Sequence, residues 1–173
     1  MNVQEYATRI LFKNAYSHAL DMMESGSGHS DILNFLADAN DQIGASDTVT
    51  SILVVGSSGL LHNGASPRLP SDYLKAIDGL KPSPYVGTCA AAVATRSMVI
   101  TLDFLEDSKW AELRHLPLAL GFKSAFSIPI MSLEGRVLGT FGTYFKTKRL
   151  PTMEEIEGSK ILSEAAAQVL ERL

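Results

Sequence analysis

The sequence predicts an α+β sandwich, with one mostly antiparallel sheet, terminal helices on one face, and loops and short helices on the other. Three observations predict it. Apolar and β-branched runs occupy the middle of the chain, helix-period patterns occupy both ends, and glycine-bearing turns separate neighbouring strand candidates. At 173 residues the chain is long enough for one domain with a real core.

Composition narrows the class. Apolar residues make up 46% of the chain, an ordinary share for a soluble protein, and no apolar run is long enough to cross a bilayer. Met1-Asn-Val-Gln-Glu-Tyr6 lacks the basic region and apolar core of a signal peptide. A single cysteine, Cys89, excludes an internal disulfide or a multi-cysteine metal site and fits a reducing, cytoplasmic setting. The net charge of −4, without a Lys/Arg stripe interleaved with aromatics, argues against nucleic acid. The expectation is a cytoplasmic protein that binds neither nucleic acid nor membrane.

The elements follow in order. Ala7, Ile10, Leu11, Ala15, Ala19, Met22 and Met23 recur at helix spacing, and Ser25-Gly-Ser-Gly28 breaks the run. Ser30 is placed to cap a second helix with the apolar face Ile32, Leu33, Leu36, Ala37 and Ile43, closed by Gly44. Thr48 to Val55 reads as a central strand, and Gly56-Ser-Ser-Gly59 turns it into a partner over Leu60 to Gly64. Tyr73, Leu74 and Ile77 mark a short helix after Pro70, closed by Gly79. Another helix opens near Thr88, and Met98 to Thr101 is a short strand. Ser108 to Leu120 reads as a helix broken by Pro117. Lys123 to Met131 and Arg136 to Phe145 pair across Ser132-Leu-Glu-Gly135. Finally, Thr152 and Glu155 form a capping box, and Leu162, Ala166, Val169 and Leu173 carry the spacing of a coiled-coil seam. That seam predicts a homodimer through the terminal helices.

Several phrases carry a family resemblance: His62-Asn-Gly-Ala-Ser-Pro-Arg-Leu-Pro70, Ala76-Ile-Asp-Gly-Leu80, Val86-Gly-Thr-Cys-Ala-Ala-Ala92, Ile128-Pro-Ile130, Gly135-Arg-Val-Leu-Gly-Thr-Phe141 and Pro151-Thr-Met-Glu-Glu155. Together they resemble the GAF family of small-molecule sensor domains, particularly its bacterial signalling branch in sensor kinases and cyclic-di-GMP enzymes. The resemblance implies a six-stranded antiparallel sheet with a ligand pocket on the face away from the terminal helices. It divides the chain into an N-terminal helix and linker, residues 1–29, and a GAF sensor domain, residues 30–173.

The residues suggest what such a pocket would hold. Gly87, Thr88, Cys89 and Ala90 open a helix whose first amides lack internal partners and carry the positive end of the dipole. Small residues there let an anion reach the backbone; the plainer reading of the same residues is a tight turn packed against the sheet. Trp110 is either core or pocket wall, and the resemblance implies a lid at this place. Tyr73 and Tyr85 flank the region with hydroxyls. Along the last strands Phe126 and Ile128 alternate with Ala125 and Ser127, and Phe141 and Thr143 alternate with Thr140 and Gly142. Alternation leaves open which set faces the pocket; Phe126 and Phe141 are taken as ligand-lining candidates.

No metal or cofactor is expected. Haem needs an axial histidine, and His18, His29, His62 and His115 are scattered. Asp103, Glu106 and Asp107 read as a solvated acidic loop. The methionine-(R)-sulfoxide reductase branch uses two or three cysteines here, so one cysteine leaves that chemistry without a resolving partner. The expected role is therefore a receptor for a small anion or polar metabolite and not an enzyme. Its expected partners are a downstream output domain or, as in standalone nitrate receptors, a separate sensor kinase.

Overall fold

The computed structural model describes residues 1–173. The elements run α1 (Val3–Glu24), α2 (His29–Ile43), β1 (Thr48–Val55), β2 (Leu61–Ala65), α3 (Ser71–Ile77), α4 (Thr88–Thr95), β3 (Val99–Thr101), a 3-10 turn (Ser108–Trp110), α5 (His115–Ala119), β4 (Ser124–Met131), β5 (Val137–Phe145) and α6 (Met153–Leu170). Every strand pairing is antiparallel, in the order β2-β1-β5-β4-β3. This is the α+β sandwich expected, but with five strands instead of six. The nearest approach to another strand is Leu80, whose carbonyl accepts from Leu61 N–H at 2.9 Å in an isolated bridge. Pro82 and Pro84 follow at once, and a residue without N–H cannot extend a ladder.

Helices α1, α2 and α6 cover one face of the sheet. Phe12, Ala15 and Ala19 of α1 share a core with Ile32, Leu33 and Leu36 of α2 and with Leu162, Ala166 and Val169 of α6. Helix α1 thus packs into the same core as α2 and α6. The expected coiled-coil seam is used up here: Leu162, Ala166 and Val169 are fully buried, while Leu173 lies beyond the end of α6 and is exposed. Period alone could not tell a seam between chains from a stripe docked on its own sheet. Close approach at this layer depends on Gly158, where an added Cβ would sit 2.3 Å from the Phe12 ring.

Two local expectations change. Helix α2 starts at His29 with Gly28 in the cap position, so Ser30 lies inside the first turn and caps nothing. Pro117 does not break its helix. It sits in the first turn of α5, where a missing N–H leaves no bond unmade, and the interruption falls between the 3-10 turn and α5. The C-terminal cap is as expected, with Thr152 Oγ1 accepting from Glu155 N–H at 3.2 Å and Glu155 Oε2 from Thr152 N–H at 2.8 Å. Arg149 fixes the entry to α6: its guanidinium binds Glu155 and Asp47 and lies 3.6 Å from the centre of the Phe145 ring. No helix is long and apolar enough to cross a membrane.

Candidate ligand site

On the opposite face, α4 lies against β5, β4 and β3. Its first residues, Thr88-Cys-Ala-Ala-Ala92, are small and buried, and they meet a strip of equally small sheet residues. An added Cβ at Gly142 would stand 3.0 Å from Cys89 Sγ, and Cys89 Sγ lies 3.0 Å from Ser127 Oγ. Small-on-small contact brings the N-terminus of α4 close to the sheet. Gly87, at φ 67°, makes the turn into the helix in a backbone region that suits glycine, and no side chain caps the end. The amides of Thr88, Cys89 and Ala90 therefore begin the helix without a side-chain acceptor.

Trp110 closes this mouth. Its ring N–H donates to Thr88 Oγ1 at 2.8 Å, and Thr88 Oγ1 lies 2.8 Å from Thr101 Oγ1 on β3. The backbone confirms the docking, since Gly87 N–H donates to the Lys109 carbonyl at 2.8 Å. Behind Trp110 sits an aromatic layer. Phe104 meets it edge-on with centroids 4.7 Å apart, Phe122 lies 5.0 Å from Tyr144, and the Tyr144 and Tyr73 hydroxyls are 2.8 Å apart. Burial pushes both phenols above their ordinary range, so they are neutral hydrogen-bonding groups. Between these walls is a cavity of about 20 Å³, bounded by Gly87, Thr88, Cys89, Trp110 and Tyr144 and by the apolar Leu53, Ile77, Leu80 and Leu113. That is room for roughly one water, so a larger guest requires the Trp110 segment to move.

The expected site residues divide clearly. Gly87, Thr88, Cys89 and Trp110 line the cavity, Ala90 is fully buried next to them, and Tyr73 contributes its hydroxyl to Tyr144. Tyr85 is 79% exposed and lies outside the cavity lining. Phe126 and Phe141 are corrections. Phe141 packs into the core with α2 and α6, and Phe126 joins Ile128 and Phe145 beneath Ile156 of α6. The alternation left open on β4 and β5 resolves with Ala125, Ser127, Gly142 and Tyr144 on the side of α4 and Trp110. The residue missed was Tyr144. The signal for it was the match between small residues on β4 and β5 and the alanine-rich start of α4, which only fits if those two sets face each other.

The acidic loop has structural duties. Asp107 Oδ1 accepts from Lys109 N–H at 2.9 Å and Asp107 Oδ2 takes the Lys109 ammonium at 2.9 Å, which starts the turn that carries Trp110. Burial alone would raise its carboxyl, but these donors hold it below the usual range. Asp103 accepts from Leu105 N–H and pairs with Lys148. Cys89 is a free thiol that burial pushes up, only partly opposed by Ser127, so its helix-terminal position does not yield a thiolate. His62 pairs with Asp78 at 2.9 Å on the surface, and no group of three or more potential metal ligands converges anywhere.

The GAF domain family matches residues 27–171. The chain belongs to the GAF domain family. A methyl sulfide methyltransferase-associated sensor from Methanosarcina acetivorans is 30% identical over 141 residues, covering 82% of this chain and 14% of that protein. The chain therefore spans about one seventh of that relative. Among solved structures, the GAF domain of an Acinetobacter phosphoenolpyruvate-protein phosphotransferase covers 99% of this chain and 95% of its own at TM-score 0.71 and 15% identity. The reduced form of fRMsr of Staphylococcus aureus covers 94% of each chain at TM-score 0.72 and 14% identity. These two likenesses concern the fold of the GAF domain alone.

Proposed function

We propose that this GAF domain is the sensory part of a cytoplasmic signal-transduction protein and binds a small anion or polar metabolite at the mouth of α4. The carrying observation is the uncapped start of α4 beside a water-sized cavity, covered by a tryptophan that is tethered through one hydroxyl. Bare helix-terminal amides attract negative or strongly polar groups, and Tyr144 in the aromatic wall offers one neutral hydroxyl to the rest of the guest. No charged side chain lines the cavity, which favours a guest small enough for backbone donors to hold it. Entry displaces Trp110 from Thr88, and the change passes through the sheet to α2 and α6. A receptor is favoured over a reductase because Cys89 is a lone, buried, protonated thiol. The methyltransferase-associated sensor fits a domain that works within a larger signalling protein, with an output domain or a separate sensor kinase as partner.

We further propose that two copies pair through the terminal helices, by a surface other than the seam on α6. The outer side of α1 carries Val3, Tyr6, Ile10 and Leu11 exposed in its first three turns. A two-fold dimer needs only one self-complementary patch, and this stripe supplies it on both copies.

The site is tested by calorimetric titration with nitrate, nitrite and short carboxylates. The parent protein binds one of them, and the Thr88→Val, Cys89→Val double variant, which fills the mouth with methyl groups and leaves the backbone intact, binds it more weakly. A parent protein that ignores every anion and takes up a purine nucleotide overturns the assignment.

A further inference from the structure

Asp41, near the end of α2, has a carboxyl with no exposed surface. Its Oδ1 accepts from Thr50 Oγ1 of β1 at 2.6 Å, and Asn40 donates to the same hydroxyl at 2.8 Å. Its Oδ2 has no hydrogen bond at all. The nearest cation is Arg68, whose Nε stands 3.5 Å away with half its side chain in solvent. The other charged group that acts on this carboxyl is Asp38, one turn earlier on α2. Arg68 does not belong to the helix layer. It lies between Ser66, whose hydroxyl is 2.8 Å from Ser51 Oγ of β1, and Leu69, which is buried in the ligand-side core with Tyr73 and Trp110. Two residues further on, α3 begins and carries Tyr73 to its bond with Tyr144.

We propose that Arg68 and Asp41 form a latch that ties the segment leading into α3 to the C-terminal end of α2, and so couples the ligand side of the sheet to the helix layer. The inference rests on the ligand-site reading given above only for the direction of the signal; the coupling itself is a property of the free protein. A buried carboxylate oxygen without a hydrogen bond is held by one partly solvated guanidinium, so a small shift of residues 66–77 removes its only compensation. Two states follow: Arg68 engaged with the carboxylate charged, or Arg68 released with the carboxyl protonated. Burial already raises the Asp41 carboxyl to about 6, opposed by Thr50 and Arg68, so the second state lies within reach near neutral pH. An asparagine at 41 keeps the bond to Thr50 and removes the charge, which would leave α2 seated but deaf to Arg68.

The test is amide hydrogen exchange on the free protein, with residues 40–44 and 71–77 followed against the amides of β5 as a measure of global opening. Arg68→Gln should speed exchange several-fold in both segments, although Arg68 touches only one of them. Asp41→Asn should speed exchange in 71–77, and the double variant should add nothing to the larger single effect. In the parent protein the protection of 71–77, corrected for intrinsic rate, should fall as pH drops through about 6, and in Asp41→Asn it should stay level. Changes confined to the altered segment, or additive single effects, overturn the latch. Because no ligand is used, a failure here leaves the anion site standing, and a failed titration leaves the latch standing.

Discussion

Trp110 is held over the mouth of α4 by one side-chain hydrogen bond, and that bond can be tested directly. Thr88→Val removes the acceptor and leaves a buried ring N–H unpaired, which costs about 1–3 kcal/mol. Thr88→Ser keeps the oxygen and should recover most of that loss in chemical denaturation, and Trp110 fluorescence should shift to the red only in the valine variant. Asp41 makes a second prediction, with an unusual sign. Its folded-state carboxyl is raised to about 6 from an ordinary 3.8, so its contribution to stability is fully present below 3.8 and is lost as pH rises through about 6. Asp41→Asn should therefore flatten the fall in stability between those values and be the more stable protein at pH 7, by up to about 3 kcal/mol before solvent screening reduces it. A stability difference between parent and Asp41→Asn that does not widen as pH rises over that window contradicts the assignment. Cys89 gives a third: its buried thiol should resist alkylation in the native protein under conditions where the unfolded chain reacts at once.

At the scale of the elements, Gly158 decides how closely α1 and α6 pack. Gly158→Ala places a methyl group into the Phe12 ring, and overpacking of this kind costs about 1–3 kcal/mol; thermal unfolding should show the loss, and Phe12→Leu in the same chain should relieve part of it. The helices and hairpins were legible in the sequence because their signals are local: Thr152 with Glu155, Ser132 to Gly135, and the β-branched run of β1 each name their own structure. Asn2 and Glu5 form a second capping box of the same type at the head of α1. What could not be read locally was orientation. Phe126 and Phe141 have the same two-residue period as Ala125 and Gly142, and period is indifferent to which face is covered by which layer. The α6 stripe is ambiguous for the same reason, since burial against one's own sheet and burial against a second copy need the same spacing. The site itself was half legible: the small residues of α4 marked it from the sequence, whereas Tyr144 joined it only through the register of β5.

For the whole molecule, the layers suggest how a signal crosses. One side of the sheet holds Trp110, Tyr73 and Tyr144, the other holds α1, α2 and α6, and β1 and β5 lie between them with side chains in both cores. Dimerisation through the outer stripe of α1 is checked by light scattering: the parent chain should run as a dimer and Tyr6→Asp with Ile10→Asp as a folded monomer. If both species are monomers, the stripe serves something other than a second copy. Whether the mouth of α4 beneath Trp110 receives a small anionic or polar guest can be read from native mass spectrometry of the protein purified from its host. A small adduct, lighter than any nucleotide, should be retained on the parent chain and depleted from the Thr88→Val, Cys89→Val variant. A retained nucleotide, or an adduct held equally by the variant, would contradict the assignment.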